Sequence, residues 1–226
     1  MKRFKYFSAI FILFIVSSIN AQGWAKDVLA SSIAFHDPQG KWPTFEGQFK
    51  VTMRSPERSD RESLITISLP KDRFELTEKR DGVIQKYSNA AGRCESVDPV
   101  LCERAEKLKN YYTYLYGLPM KLNDPGTLLD PKVERVVFDQ KETLRLKVTY
   151  DPEVGSDTWY FYLDPQNYQL LAYQFYHNEV LGDGEYILLS EIEEVGGIKM
   201  PKSRKWFYNA DKAYLGEDIL TSDTGF

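Results

Sequence analysis

The apolar positions along the chain follow two different periods. Residues 23–35 carry an apolar stripe at helical spacing, which predicts a helix that ends in the turn Asp37-Pro38-Gln39-Gly40. From Phe45 onward apolar and polar residues alternate, as strands with one wet face require. Such runs predict strands over 45–54, 62–69, 73–79, 82–88, 133–139, 144–150, 159–163, 169–178, 185–195, 199–208 and 213–221. The turn residues between them favour antiparallel pairing.

A second predicted helix interrupts the alternation at 98–116. Asp98 is a good N-cap, Pro99 suits the first helical position, and an apolar stripe runs to Leu115. A sheet of roughly ten strands must curl, and its concave face must be filled. We therefore expect a mainly antiparallel α+β fold, a curved half-barrel with two helices packed over the concave face. No linker divides 22–226, which predicts a single ligand-binding domain there.

The first 21 residues have the pattern of a cleavable signal peptide. Lys2, Arg3 and Lys5 precede an apolar run that is too short to span a bilayer, and small residues permit cleavage after Ala21. No cysteine stands at the expected cut, so we expect no lipid anchor. The sequence thus predicts a periplasmic or secreted protein that is not membrane-embedded after cleavage.

The charge balance restricts the partners. Of 29 basic residues, three lie within 1–21, which leaves 26 against 33 acidic residues and a net charge of −7. An acidic chain without a basic run argues against binding to nucleic acid or to anionic headgroups.

Cys94 and Cys102 are the only cysteines. A close, even pair in an exported protein predicts a structural disulfide, here joining the second helix to the strand before it. Two thiolates without a neighbouring His do not make a tetrahedral metal set, and a redox-active pair has two intervening residues rather than seven.

The order of elements resembles the periplasmic lipoprotein-carrier (LolA/LppX-like) fold, in which helices close a curved half-barrel over an apolar cavity. Three segments are also similar to an uncharacterised family of exported Bacteroidetes proteins (DUF6503-like). These segments are His36-Asp37-Pro38-Gln39-Gly40-Lys41-Trp42, Tyr114-Leu115-Tyr116-Gly117-Leu118-Pro119-Met120-Lys121-Leu122 and Gly197-Ile198-Lys199-Met200-Pro201-Lys202-Ser203. The resemblance implies a fold and a compartment, and no individual ligand-binding residue.

Aromatic residues crowd the predicted strands, and two interpretations of them stay open. They either fill a core and its rim or line an apolar cavity for an acyl chain or similar ligand. The candidate lining residues are Trp42, Trp159, Phe161, Tyr173, Phe175, His177 and Trp206.

The two histidines, His36 and His177, allow a catalytic alternative. His36 follows the first helix, where a cation could cap the helix end. If that helix packs over the strand carrying His177, then His36, Asp37 and His177 could supply a general base with an orienting carboxylate. Lys199, Lys202, Arg204 and Lys205, by contrast, are expected to pair on the surface with Glu191, Glu193 and Glu194.

The sequence favours a non-catalytic binding or carrier protein for a lipid, acyl chain or other hydrophobic molecule, without a cofactor or metal. One alternative is a hydrolase that uses His36, Asp37 and His177. The other is an envelope scaffold that binds a protein partner.

Overall fold

The computed structural model describes residues 23–225, which form one large sheet and two helices. Residues 1–22 lie outside the described part of the chain, and with them the predicted signal peptide and its cleavage site. Helix α1 covers 23–36 and α2 covers Pro99–Tyr116. The strands are β1 Glu46–Ser55, β2 Arg58–Ser68, β3 Arg73–Arg80, β4 Val83–Ala90, β5 Arg93–Cys94, β6 Thr127–Phe138, β7 Lys141–Tyr150, β8 Thr158–Leu163, β9 Leu170–Tyr176, β10 Glu185–Val195, β11 Ile198–Tyr208 and β12 Tyr214–Thr221. Short 3-10 helices occupy Trp42–Thr44 and Met120–Asn123.

All twelve strands belong to one open antiparallel sheet in the order β5-β4-β3-β2-β1-β12-β11-β10-β9-β8-β7-β6. Every pair of neighbours is consecutive in the chain except β1 and β12, the first and last strands of the sheet in chain order. The expected fold class is confirmed. Eleven of these strands fall on the predicted ranges, and β5 was not predicted because its two residues are too few to show an alternation.

The two faces of the sheet have different roles. The face under the helices, here called the inner face, holds the main core, and alternate residues such as Phe49, Val51, Ile65 and Ile67 point into it. The outer face carries a smaller apolar cluster around Tyr160, Tyr162 and Ala172. The alternation of apolar and polar residues in the sequence therefore reflects a sheet with one strongly buried face.

α2 begins and ends close to the predicted positions, and α1 ends at His36, one residue after its predicted end. The described part of α1 buries Ala25, Val28 and Leu29. In α2 the Asp98 side chain accepts a hydrogen bond from the Val100 amide at 2.9 Å, as expected of an N-cap. The predicted disulfide is also confirmed, because Cys94 of β5 is bonded to Cys102 in the first turn of α2. Neither α1 nor α2, over the residues described, is long and apolar enough to cross a membrane.

Candidate functional site

A cleft of about 600 Å³ lies beside the C-terminal half of α2. One wall comes from the end of β2 and the start of β3, and the opposite wall comes from the start of β6 and the end of β7. Because these strands are near opposite edges of the sheet, its curvature is what brings the two walls together. The apolar part of the lining consists of Ile67, Leu69, Phe74, Tyr114, Tyr150 and Val154.

A second cavity of about 340 Å³ adjoins the cleft and shares Tyr114, Tyr150 and Val154 with it. The hydroxyls of Tyr114 and Tyr150 are hydrogen-bonded to each other at this junction. Burial raises the pKa of Tyr150 to about 12 and the pKa of Tyr114 well above its usual value, so both phenols stay neutral at ordinary pH. Trp159 forms the far wall, with its ring centre 5.4 Å from that of Tyr114. Rings and aliphatic side chains therefore form a continuous part of the lining of both spaces, beside polar and charged residues.

The cations at the rim of the cleft are paired with acids. Lys109 Nζ lies 2.6 Å from Asp72 Oδ1, which joins α2 to the β2–β3 turn. Lys121 forms an ion pair with Asp124 at another part of the rim. The rim is thus polar but locally neutral, which suits an apolar ligand better than a strongly charged one.

The loop that lines the second cavity is connected to the loop after β9 by His177 and Asp157. His177 Nδ1 lies 2.8 Å from Asp157 Oδ1, and this hydrogen bond raises the pKa of His177. Asp157 belongs to the loop that lines the cavity, whereas His177 begins the loop after β9. His177 therefore helps to position a wall of the cavity and does not line it.

The predicted lining residues divide into three groups. Trp159 lines the second cavity. Phe161, Tyr173 and Trp42 lie in the packed core, and Phe175 and Trp206 are partly buried against it. The reason is that α2 fills most of the inner face, with Tyr112 and Tyr116 of the helix fully buried there. The open space therefore lies beside α2 and not beneath it.

The structure does not bring His36, Asp37 and His177 together. His36 touches the first residue of β9, since the Leu170 amide donates to His36 Nε2 at 3.0 Å. His177 follows the last residue of the same strand. Seven residues of extended chain span roughly 20 Å, far beyond hydrogen-bond reach.

His36 and Asp37 have structural roles instead. His36 Nδ1 donates to the Lys199 carbonyl at 2.6 Å, so both ring nitrogens are bonded to the backbone. Burial lowers the pKa of His36 to about 4, so the ring is neutral and is not the cationic cap that its position suggested. The Asp37 carboxylate accepts from the amides of Lys41 and Trp42 at 2.7 and 2.8 Å, which closes the turn after α1.

The three segments that carry the family resemblance meet at this junction. His36, in the first segment, binds Lys199, in the third. Trp42 packs on Gly117 of the second segment, where an added Cβ would lie 2.3 Å from the indole. These segments therefore include the residues that fasten α1, α2 and β11 to one another. Within residues 23–225 no three acidic, His or Cys side chains are arranged to hold a metal ion.

Residues 2–223 match the family of unknown function DUF6503 over almost the whole chain. The chain belongs to this family. No curated protein matches it in sequence. The LolA superfamily protein of Nitrosomonas europaea is similar in structure, with a TM-score of 0.53 and 9% identity over 87% of this chain and 90% of that one. At 9% identity this similarity shows the fold alone. This DUF6503 chain therefore has the fold of the LolA superfamily.

Two further solved structures resemble this DUF6503 chain more weakly. One, from Vibrio parahaemolyticus, is described as an outer membrane lipoprotein-sorting protein domain, with a TM-score of 0.48 and 10% identity over 89% of this chain and 94% of that one. The other is a DUF1329 family protein from Desulfovibrio piger, with a TM-score of 0.45 and 9% identity over 89% and 94%.

Arg204 is buried, contrary to the expectation from the sequence, and it lies beside a buried acid, Asp218, that the sequence pattern did not single out. Arg204 was expected on the surface, but it is 1% exposed on the inner face, and Asp218 is 4% exposed beside it. The alternation along the strands could have indicated this burial. Arg204 stands two residues before Trp206 and Asp218 stands two before Leu220, so each shares a face with an apolar residue. Lys202, in contrast, does pair with Glu191, at 3.4 Å.

Proposed function

We propose that this protein is a non-catalytic periplasmic binding or carrier protein for a lipid, an acyl chain or another hydrophobic molecule. The observation that carries the proposal is the cleft of about 600 Å³ and the adjoining cavity of about 340 Å³, which share the apolar groups of Tyr114, Tyr150 and Val154 in their lining. Ligand sites of this size usually bury most of a small hydrophobic ligand. Each methylene removed from water contributes about 0.8 kcal/mol to binding.

The geometry beside α2 supports the same function. The ligand would lie against the hydrogen-bonded pair of Tyr114 in α2 and Tyr150 in β7, with Val154 at the mouth. Val154 is 57% exposed although it lines both spaces, so a ligand there would cover an apolar side chain that now faces water.

The experiment is a displacement assay with the neutral fluorescent probe Nile red on the purified chain, together with native mass spectrometry of protein isolated from its own host. We expect a co-purified lipid and saturable Nile red binding. Val154→Arg should weaken binding at least tenfold, because it places a charge at the mouth. Val83→Arg is the matched control, since Val83 is similarly exposed, at 61%, and does not line the cleft.

The same assay separates the carrier function from the scaffold alternative. If neither lipid nor Nile red binds, or if both arginine variants bind as the unmodified chain does, the carrier proposal is rejected. The compartment is tested separately. Fractionation of the host should place the protein in the periplasm, and N-terminal sequencing should begin at Gln22.

A further inference from the structure

A polar cluster is buried in the middle of the otherwise apolar inner face. It consists of Arg204 of β11, Asp218 of β12, Tyr173 of β9 and Tyr116 of α2, each no more than 4% exposed. Arg204 and Asp218 stand directly opposite each other on neighbouring strands. The guanidinium carbon of Arg204 lies 3.9 Å from the centre of the Tyr116 ring, so the cluster joins α2 to the sheet.

Three polar atoms of this cluster are buried and have no hydrogen-bond partner among residues 23–225. They are Arg204 Nε and the hydroxyl oxygens of Tyr116 and Tyr173. Arg204 Nη1, in contrast, donates to the Pro201 carbonyl at 2.7 Å. The Nε–H group can only donate, and both hydroxyls can do so. Buried polar atoms without partners are uncommon, so this concentration of free donors requires an explanation.

The charges of the cluster and its surroundings are balanced. Arg204 faces Asp218 across the strand pair, and nearby Arg61 Nε lies 3.9 Å from Glu78 Oε2. Burial raises the pKa of Asp218, while Arg204 and Arg61 lower it. Two cations and two acids therefore compensate one another, and the free capacity is for hydrogen bonding and not for charge. Such a site suits an uncharged group with acceptor oxygens.

The cluster comes nearest to the second cavity at Trp159, through the ring of Tyr173. Trp159 lines that cavity, and the ring of Tyr173 lies behind it with the two centres 5.9 Å apart. Trp159 is itself only partly buried. A rotation of the Trp159 side chain would therefore open the cavity toward the Tyr173 ring.

We propose that the Arg204–Tyr116–Tyr173 cluster binds the uncharged carbonyl group, an ester or an amide, of an acyl-chain ligand. The chain of this ligand would occupy the cavity and the cleft, so the inference rests on the proposed carrier function. Two of these three donors bind the two lone pairs of the carbonyl oxygen, and Trp159 moves aside to admit it.

The test compares methyl laurate, dodecane and laurate as competitors for bound Nile red at pH 8. A wholly apolar site would favour dodecane, because the ester would lose its hydration without compensation. We expect methyl laurate to displace Nile red at about a tenfold lower concentration than dodecane, the factor that one satisfied buried hydrogen bond supplies. Laurate should compete less well than its ester.

Tyr173→Phe removes one hydroxyl and should reduce the preference for the ester at least threefold, with dodecane unchanged. Tyr162→Phe is the matched control, because that hydroxyl is on the outer face and donates to Gln174. Arg204→Met should abolish the preference, provided that circular dichroism shows a folded chain; otherwise Tyr173→Phe decides. Equal displacement by ester and alkane, or a preference for laurate, would overturn the inference and leave the carrier function standing. Displacement by none of the three would overturn both.

Discussion

The indole of Trp42 packs directly on Gly117, at the end of α2. A Cβ at position 117 would lie 2.3 Å from Trp42 Cζ2 and 2.5 Å from the Thr113 carbonyl oxygen. Gly117 has an ordinary φ of −91°, so the requirement for glycine is one of space and not of backbone conformation. The contact holds the chain after α1 against the end of α2.

Gly117→Ala is therefore expected to lower the free energy of unfolding by about 1–3 kcal/mol, the usual cost of overpacking. Gly155→Ala is the control, because a Cβ there would meet Tyr150 only at 3.8 Å. Urea denaturation monitored by circular dichroism measures both. Equal stability of the two variants would contradict the packing described for Trp42.

The burial of His36 leads to a second prediction. His36→Ala leaves the Lys199 carbonyl and the Leu170 amide without their partner and opens a cavity, so it should cost about 2–4 kcal/mol in free energy of unfolding. His177→Ala, at an exposed imidazole, should cost much less. Denaturation of the two variants at pH 8 provides the comparison.

The pKa of His36 also makes stability depend on pH. It is about 4 in the folded chain and about 6.5 in the unfolded chain. Between these values the unfolded state binds more protons, so stability should fall as the pH drops from 6.5 to 4, by roughly 3 kcal/mol in all. The fall attributable to this group should disappear in His36→Ala. A pH profile as steep in the variant as in the parent chain would exclude His36 as its source.

His177 should titrate in the opposite direction. The hydrogen bond with Asp157 raises its pKa, so NMR should show His177 losing its proton above pH 6.5. The small stabilisation from this pair is present below the unfolded pKa and is lost as the pH rises through the folded one. Because the His177 side chain is 64% exposed, we expect only a slight effect on stability. Asp157→Asn should return the pKa toward 6.5, whereas Asp211→Asn should not move it.

The disulfide provides a further test. Reduction, or replacement of Cys94 and Cys102 by Ser, should lower the free energy of unfolding by about 2–3 kcal/mol, because the bond closes a short loop in the unfolded chain. Thermal unfolding with and without a reductant measures the loss. An unchanged melting temperature would show that the β5–α2 connection is held by packing alone.

The secondary structure was largely predictable because it depends on local patterns. The period of two identified the long strands, the Asp98-Pro99 pair identified the start of α2, and close spacing identified the Cys94–Cys102 bond. In each case the deciding interaction lies within the element or between its neighbours in sequence. The fold class follows from the number and order of such elements.

The candidate site depended on contacts between distant parts of the chain. Periodicity assigned Phe161 and Tyr173 to the inner face, but only the path of α2 across that face decided that they are buried and that the open space lies beside Tyr114 and Tyr150. The sequence allowed His36 and His177 to be placed in one hypothetical site. In the structure His36 contacts the first residue of β9, whereas His177 follows its last residue. The sequence alone thus determined which elements form and which faces are apolar. The tertiary structure decided which apolar surface is filled by the protein itself and which is left for a ligand, because that depends on how the sheet curves and where the helix lies.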